Sequence, residues 1–143
     1  MKHRDDKVLP YSPAQMYALV MDIERYPEFL PWCVGARIWQ REPDFIMADL
    51  LVGYKMLREK FTSRVRFVPD TEIHVEYLDG PLKFLKNDWS FLSEPDGCRV
   101  QFHLDFEFRH RLLQGLMEGF FNEAMSCMMD AFVARARVLY EKT

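Results

Sequence analysis

The chain has 143 residues, 49% of them hydrophobic, 15% aromatic and 29% charged, which suits one ordinary domain with a single core and excludes extended disorder. A formal net charge of -3 with a pI near 5.8 excludes a dedicated nucleic-acid binder, whose basic residues gather on one face, so DNA is not an expected partner. Three widely spaced cysteines, Cys33, Cys98 and Cys127, make neither a CxxC pair nor an even set for a disulfide framework, and point to a reducing compartment.

Met1 to Pro10 is charged and lacks the apolar run of a signal peptide. No apolar run approaches the ~18 residues that spanning a bilayer requires. The expectation is a soluble, cytoplasmic domain over 1–143, with any membrane contact peripheral, at the inner membrane.

After a short opening segment around Lys7 to Leu9, Ser12 followed by Pro13 predicts a helix start, a capping hydroxyl with proline at the first helical position. Met16, Leu19, Val20 and Ile23 continue it at helical spacing, and Asp22 restarts a second short helix that Pro27 interrupts. From Trp32 to Arg109 the pattern changes to alternation, punctuated by turn signals such as Asp79-Gly80-Pro81 and Glu94-Pro95-Asp96-Gly97. Six strands are predicted, at about 34–41, 45–54, 56–68, 71–78, 84–93 and 98–109, joined as an antiparallel meander. Val100, Phe102, Leu104, Phe106 and Phe108 share one face of the last, and polar residues share the other. From Leu112 to Tyr140 no proline intervenes, and apolar residues including Leu113, Leu116, Met117, Phe120, Phe121, Ala124, Met128 and Phe132 recur at helical spacing, so one long helix is expected. The fold class is therefore α+β: a helix-grip arrangement in which a curved antiparallel sheet wraps the long C-terminal helix, with two short helices near the N-terminus.

A curved sheet and a straight helix cannot meet everywhere, so this arrangement implies a cavity, and ligands lodge in such clefts. The expected apolar wall comprises Phe61, Phe106, Phe120, Ala124 and Met128, with Tyr54 and Trp89 offering a polar tip beside an apolar body. Methionines on the helix, among them Met117, Met125, Met128 and Met129, suit a wall that repacks around a flexible guest, although ordinary core packing explains them as well. Glu59 and Ser63 fall on the inward phase beside Phe61. Glu59 fits a carboxylate orienting a polar headgroup, or one in water at the open end of the barrel. Trp89 and Tyr54 fit a structural role equally.

No phosphate loop, dinucleotide fingerprint, nucleophile elbow or HExxH helix occurs. His3, His74, His103 and His110 are scattered, the cysteines lack a partner base, and neither a metal nor a catalytic residue is expected. Basic residues gather at Arg109, His110 and Arg111, a patch for anionic headgroups or RNA or simply a solvated face. Arg135, Arg137 and Lys142 complement the C-terminal helix dipole.

The run Tyr26-Pro27-Glu28-Phe29-Leu30-Pro31-Trp32-Cys33, preceded by Tyr11-Ser12-Pro13-Ala14 and followed by Asp79-Gly80-Pro81 and Trp89, resembles the coenzyme Q-binding START-domain family, which also groups bacterial proteins called ribosome-association toxins. The resemblance implies a START-like lipid-binding fold, a non-catalytic role in carrying ubiquinone or a related isoprenoid lipid for quinone biosynthesis and respiration, and no cofactor apart from that ligand. It also places Phe29, Leu30 and Trp32 beside the cavity mouth. Leu82 departs from the aromatic often found after this Gly-Pro, with an expected effect on the pocket rim. The segment that Pro27 and Pro31 bracket serves either as a lid or membrane-touching lip, or to pin the short helices to the sheet. The weaker alternative is a toxin-like protein that contacts the ribosome; an enzyme of the cyclase or hydratase sort would require a paired acid and base that the sequence does not display.

Overall fold

Alternating side chains build most of this molecule. The computed structural model describes residues 2–54 and 56–141. Strands β1 (Lys2–Leu9), β2 (Cys33–Arg41), β3 (Phe45–Tyr54), β4 (Leu57–Val68), β5 (Glu72–Asp79), β6 (Leu82–Glu94) and β7 (Gly97–Phe108) form one curved antiparallel sheet in the order β1-β7-β6-β5-β4-β3-β2. The six expected strands are present within one or two residues of their expected ends. On β7 the even residues from Cys98 to Phe108 are all buried and face the concave side. The convex side carries charge, including the ion pair of His74 Nδ1 with Asp88 Oδ1 at 2.6 Å.

β1 is a seventh strand that the sequence does not announce. Its residues are mostly charged and exposed, with no apolar alternation, and it forms because its backbone completes the edge of β7, from Lys2 opposite Asp105 to Leu9 opposite Cys98. Gly97 makes room for this pairing, since a Cβ there would sit 1.9 Å from the Leu9 carbonyl oxygen. Charged side chains on such an outer strand also discourage pairing with another chain.

The capping hydroxyl expected at Ser12 is present and forms a full capping box: Ser12 Oγ accepts from the Gln15 amide at 3.1 Å, and Gln15 Oε1 accepts from the Ser12 amide at 2.9 Å. It starts α1 (Pro13–Met21). The second short helix is a 3-10 helix, Ile23–Glu28, and it contains Pro27 rather than ending there, because a 3-10 turn this short needs few amide donors.

The single long C-terminal helix is not observed. Two helices, α2 (Arg111–Ser126) and α3 (Met128–Tyr140), meet at Cys127. No glycine or proline marks the break; instead Ser126 Oγ donates to the Glu123 carbonyl at 2.8 Å. Such back-bonding competes with the helical ladder and bends helices. Leu116, assigned to the buried stripe by spacing, is 61% exposed, and Met117, Phe121 and Met125 form the inward face of α2.

α3 is fastened by Phe132, which is 1% exposed and meets Tyr26, Phe29 and Trp89 edge-on at 5.5, 5.2 and 5.2 Å between ring centroids. Arg135 adds a hydrogen bond to Glu28 Oε1 at 2.8 Å and stacks over Phe29. It therefore ties α3 to the 3-10 helix rather than only complementing a dipole. Arg137 does lie in the last turn of α3, and Lys142 lies outside the described residues. Replacing Phe132 by Ala should cost about 3–5 kcal/mol of stability, read as a lowered midpoint in urea denaturation followed by circular dichroism; a loss below about 1 kcal/mol would show that the site collapses without penalty.

Candidate functional site: an apolar cavity and its cleft

Because α2 and α3 lie across a curved sheet, the concave face is not filled. Between them is a cavity of about 140 Å3, lined from the sheet by Phe61, Val75, Trp89 and Phe106 and from the helices by Phe121, Met125 and Met128. No Asp, Glu, His, Lys or Arg lines it. A second space of about 390 Å3 lies beside it, between the start of β2, the end of β3 and the helices, and is lined by Leu30, Tyr54, Phe120, Ala124 and Cys127. Trp32 and Met128 belong to both walls, so the two spaces adjoin where α2 gives way to α3.

Of the residues singled out from the sequence, Trp32, Phe61, Trp89, Phe106 and Met128 line the inner cavity, and Leu30, Trp32, Tyr54, Phe120, Ala124 and Met128 line the outer cleft. Tyr54 and Phe120 stack at 4.3 Å across the mouth, 18° from parallel. Phe29 lines neither space; it is held between Tyr26 and Phe132. Glu59 also lines neither. It is half-buried near the start of β4, opposite Val52 and on the inward phase, but away from both spaces. Leu82 is fully buried in the core and lines neither space, so the departure from an aromatic there does not alter a rim. The preceding Gly80 has φ +149° and lies where a Cβ would come within 2.7 Å of the Tyr77 hydroxyl, which in turn accepts from the Leu82 amide at 2.9 Å.

Several wall residues are not assigned to the site by the sequence, although it already places Ser63 on the inward phase and Met125 among the methionines suited to a wall. Tyr26, Met125 and Phe121 line the inner cavity, as do Ser63 and Asn87. The alternation of β4 and β6 already places Ser63 and Asn87 on the concave face, and that phase was the signal to follow. Tyr26 is half-buried against the core: its hydroxyl donates to the Val20 carbonyl, and desolvation, reinforced by the Cys33 and Asp22 charges, pushes its pKa far above the ordinary phenol value.

Burial also pushes the Cys33 thiol up to about 11, against the smaller opposing effect of its contact with the Gly35 carbonyl. Cys98 is buried and its thiol is likewise raised, chiefly by burial. Among the described residues no cluster of His, Cys, Asp or Glu is arranged to hold a metal ion. His74 and His103 lie on the convex face, beside Asp88. That face also carries a polar groove of about 370 Å3 bordered by Arg4, Asp6, Asp88 and His103, whose charged walls suit water rather than an apolar guest.

Residues 9–133 match the family described as polyketide cyclase/dehydrase and lipid transport. The chain belongs to this family. It is 38% identical over 135 residues to the ribosome association toxin RatA of Escherichia coli, covering 93% of this chain and 85% of that protein. It is 30% identical over 145 residues to the coenzyme Q-binding protein COQ10 homolog B, mitochondrial, of Xenopus laevis, covering 98% of this chain and 59% of that one. A START superfamily protein of Mycobacterium smegmatis shares the fold with a TM-score of 0.80 at 19% identity, over 96% of this chain and 98% of that chain. The resemblance read from the Tyr26 to Cys33 run therefore holds, and so does the helix-grip architecture. This is a member of a lipid-binding family, and the two curated relatives are named as a toxin and a binding protein rather than as enzymes.

The exposed Cys127 at the cleft and the buried Cys33 and Cys98 should separate in thiol labelling near neutral pH. One fast-reacting site is expected, assigned by peptide mass spectrometry to Cys127, with the other two reacting only as the protein unfolds; rapid modification of Cys33 would contradict its burial.

Proposed function

We propose that the chain binds an isoprenoid quinone of the ubiquinone type in the cavity and cleft, and carries it without turnover in support of quinone biosynthesis and respiratory electron transport. The observation that carries this reading is the shape and chemistry of the site. A ring-sized, largely apolar chamber whose one ionisable side chain is the hydrogen-bonded Tyr26 phenol adjoins a larger, mostly apolar cleft with aromatic and methionine walls, bordered by Glu123. Similarity over nearly the whole chain to a protein named for coenzyme Q binding supports the ligand class. Acid–base turnover needs a positioned proton donor and acceptor, and the inner wall offers only the Tyr26 phenol, already bonded to the Val20 carbonyl, and a few neutral groups.

Affinity in such a site is dominated by the tail. At roughly 25 cal/mol per Å2 of apolar surface, each ~100 Å2 of tail removed from water contributes about 2.5 kcal/mol. Organic extraction of protein purified from its native host, followed by mass spectrometry, should return a stoichiometric isoprenoid quinone. Narrowing the cleft with Ala124→Trp or Met128→Trp should weaken quinone binding by about tenfold or more, whereas Glu59→Lys should change it by less than about threefold. Equal losses from all three would count against a tail-dominated site, and an empty extract with no thermal shift on adding quinone would end the quinone reading.

A carrier must collect its cargo at a lipid surface. Met56 is 95% exposed, and Leu112 and Leu116 are 80% and 61% exposed; they sit in the β3–β4 turn and the first turns of α2, at the end of the sheet where Tyr54 and Phe120 flank the cleft. Exposed apolar side chains of this size beside Arg109 and Arg111 suit peripheral contact with anionic lipid. Flotation with vesicles containing an anionic phospholipid should retain the parent protein and lose most of a Met56→Asp/Leu112→Asp variant; equal flotation of the two would remove membrane contact from this account.

The second reading, contact with the ribosome, is favoured by the name of the Escherichia coli relative and by Lys83, Arg109 and Arg111 around one polar cleft. Glu107 and Glu118 border the same cleft and offset that charge, which makes this the weaker reading. Absence of the protein from ribosomal fractions in low-salt gradients would dismiss it.

A further inference from the structure

The inner cavity is apolar except at two neutral side chains that face it from the sheet. Ser63 on β4 and Asn87 on β6 line the cavity, both on the concave phase of their strands. Val65, Val75 and Asn87 are in register across β4, β5 and β6, and Ser63 lies two residues before Val65, opposite Tyr77. The two polar groups therefore stand on either side of β5, offset by two strand spacings across the sheet and two residues along it, about 12 Å apart at the backbone, with Val75 and Tyr77 on the strand between them. A planar guest lying over Val75 would present one edge to each.

Both groups have hydrogen-bonding capacity left over. Ser63 makes no side-chain hydrogen bond to protein among the described residues, and its hydroxyl is not sealed off from the cavity. Asn87 Nδ2 donates to the His103 carbonyl at 2.9 Å. That acceptor fixes which way the amide points, because only its nitrogen can donate there. One N–H and the amide oxygen remain unspent. By contrast, the third polar group nearby, the Tyr26 hydroxyl, is already committed to Val20.

Size points the same way. An apolar cavity of about 150 Å3 takes up benzene, and this chamber, at about 140 Å3, has the capacity for one six-membered ring and not for a polyprenyl chain. The larger cleft beyond Trp32 and Met128 is the space left for the chain.

We propose that Ser63 and Asn87 form a headgroup subsite, in which the carbonyl oxygens of a quinone ring accept hydrogen bonds from the Ser63 hydroxyl and the free Asn87 N–H, so that the ring enters first and the tail trails out through the cleft. The inference rests on the quinone reading above and adds orientation and headgroup selectivity to it. A ligand without ring carbonyls gains nothing from these two donors, while a quinone satisfies them.

The test uses the intact chain with a ubiquinone bearing two isoprene units and, as the headgroup-free control, a prenyl hydrocarbon of matching length. Quinone affinity is read from quenching of the fluorescence of Trp32 and Trp89, both in the cavity wall, and hydrocarbon affinity by competition. Ser63→Ala and Asn87→Leu should each weaken quinone binding about fivefold or more, the loss expected for one hydrogen bond, and leave hydrocarbon affinity within about twofold. Infrared difference spectra of carbonyl-labelled quinone should show a lowered stretching frequency in the parent that reverts toward the solution value in each variant. Ser63 supports no other side-chain hydrogen bond among the described residues, so its variant remains informative if Asn87→Leu does not fold. Unchanged quinone affinity in Ser63→Ala with an unshifted carbonyl band would overturn the subsite while leaving the carrier reading intact. Failure of the parent protein to bind the quinone at all would overturn both.

Discussion

The edge-on packing of Phe132 against Trp89, Tyr26 and Phe29 sets how the rest of the molecule is arranged. One ring from α3 meets the sheet through β6 and the 3-10 helix through Tyr26 and Phe29, so a single side chain fixes three elements relative to one another. Aromatic contacts of this geometry add to the area that they bury. Arg135 clamps the same junction from outside by reaching Glu28 and covering Phe29. With α3 held close at this point, the sheet curves away from the helices elsewhere, and the space it leaves is the cavity.

Charge is distributed in accordance with that void. Apart from Ser63, the concave phase of β4, β5 and β7 is aliphatic and aromatic around the cavity, while their convex phase carries Arg64, Arg66, Glu76 and His74 in ion pairs. Asp49 is the one buried charged side chain among the described residues, and it also belongs to the convex side. Its burial works against ionisation, but hydrogen bonds from Thr62, Arg37 and Trp39 outweigh that and hold the carboxyl below its ordinary value. The fold thus keeps its carboxylates solvated or fully bonded outside the cavity. A void without charge favours transfer of apolar matter over proton transfer, which agrees with relatives named for binding and not for catalysis.

Most of this was legible because the signals were local. Strand alternation between Val34 and Phe108, the Ser12-Pro13 helix start and the Tyr26 to Cys33 run each depend on neighbours in sequence, and each led to the right element or family. The pattern failed where structure comes from distant partners. β1 has no alternation of its own and exists through the backbone of β7. The break at Cys127 comes from a serine hydroxyl whose choice between solvent and the Glu123 carbonyl is invisible in apolar periodicity. Among the candidate site residues, phase brought Phe61, Trp89 and Phe106 to the cavity wall. Phase alone could not say how far along its strand a residue must lie to stay beside the cavity, which is why Glu59 shares the face of Phe61 yet lines neither space.

The broken C-terminal helix follows from the same geometry. A straight rod fastened at Phe132 would have to lift from the sheet along its whole N-terminal half, since the sheet curves and the rod does not. Two shorter helices joined at Cys127 allow α2 to follow its own line, with Phe121 packed on Phe106 and Phe108 and Phe120 stacked on Tyr54. The joint falls where the inner cavity and the outer cleft adjoin, so Cys127 and Met128 stand beside the passage between them. Backbone hydrogen bonding is already compromised at that joint, and local opening draws on regions where such bonding is weakest. Under the proposed carrier role, the part of the helix pair that a long tail would displace is thus the part whose helical ladder is already interrupted, while Phe132, five residues further on, keeps α3 in place.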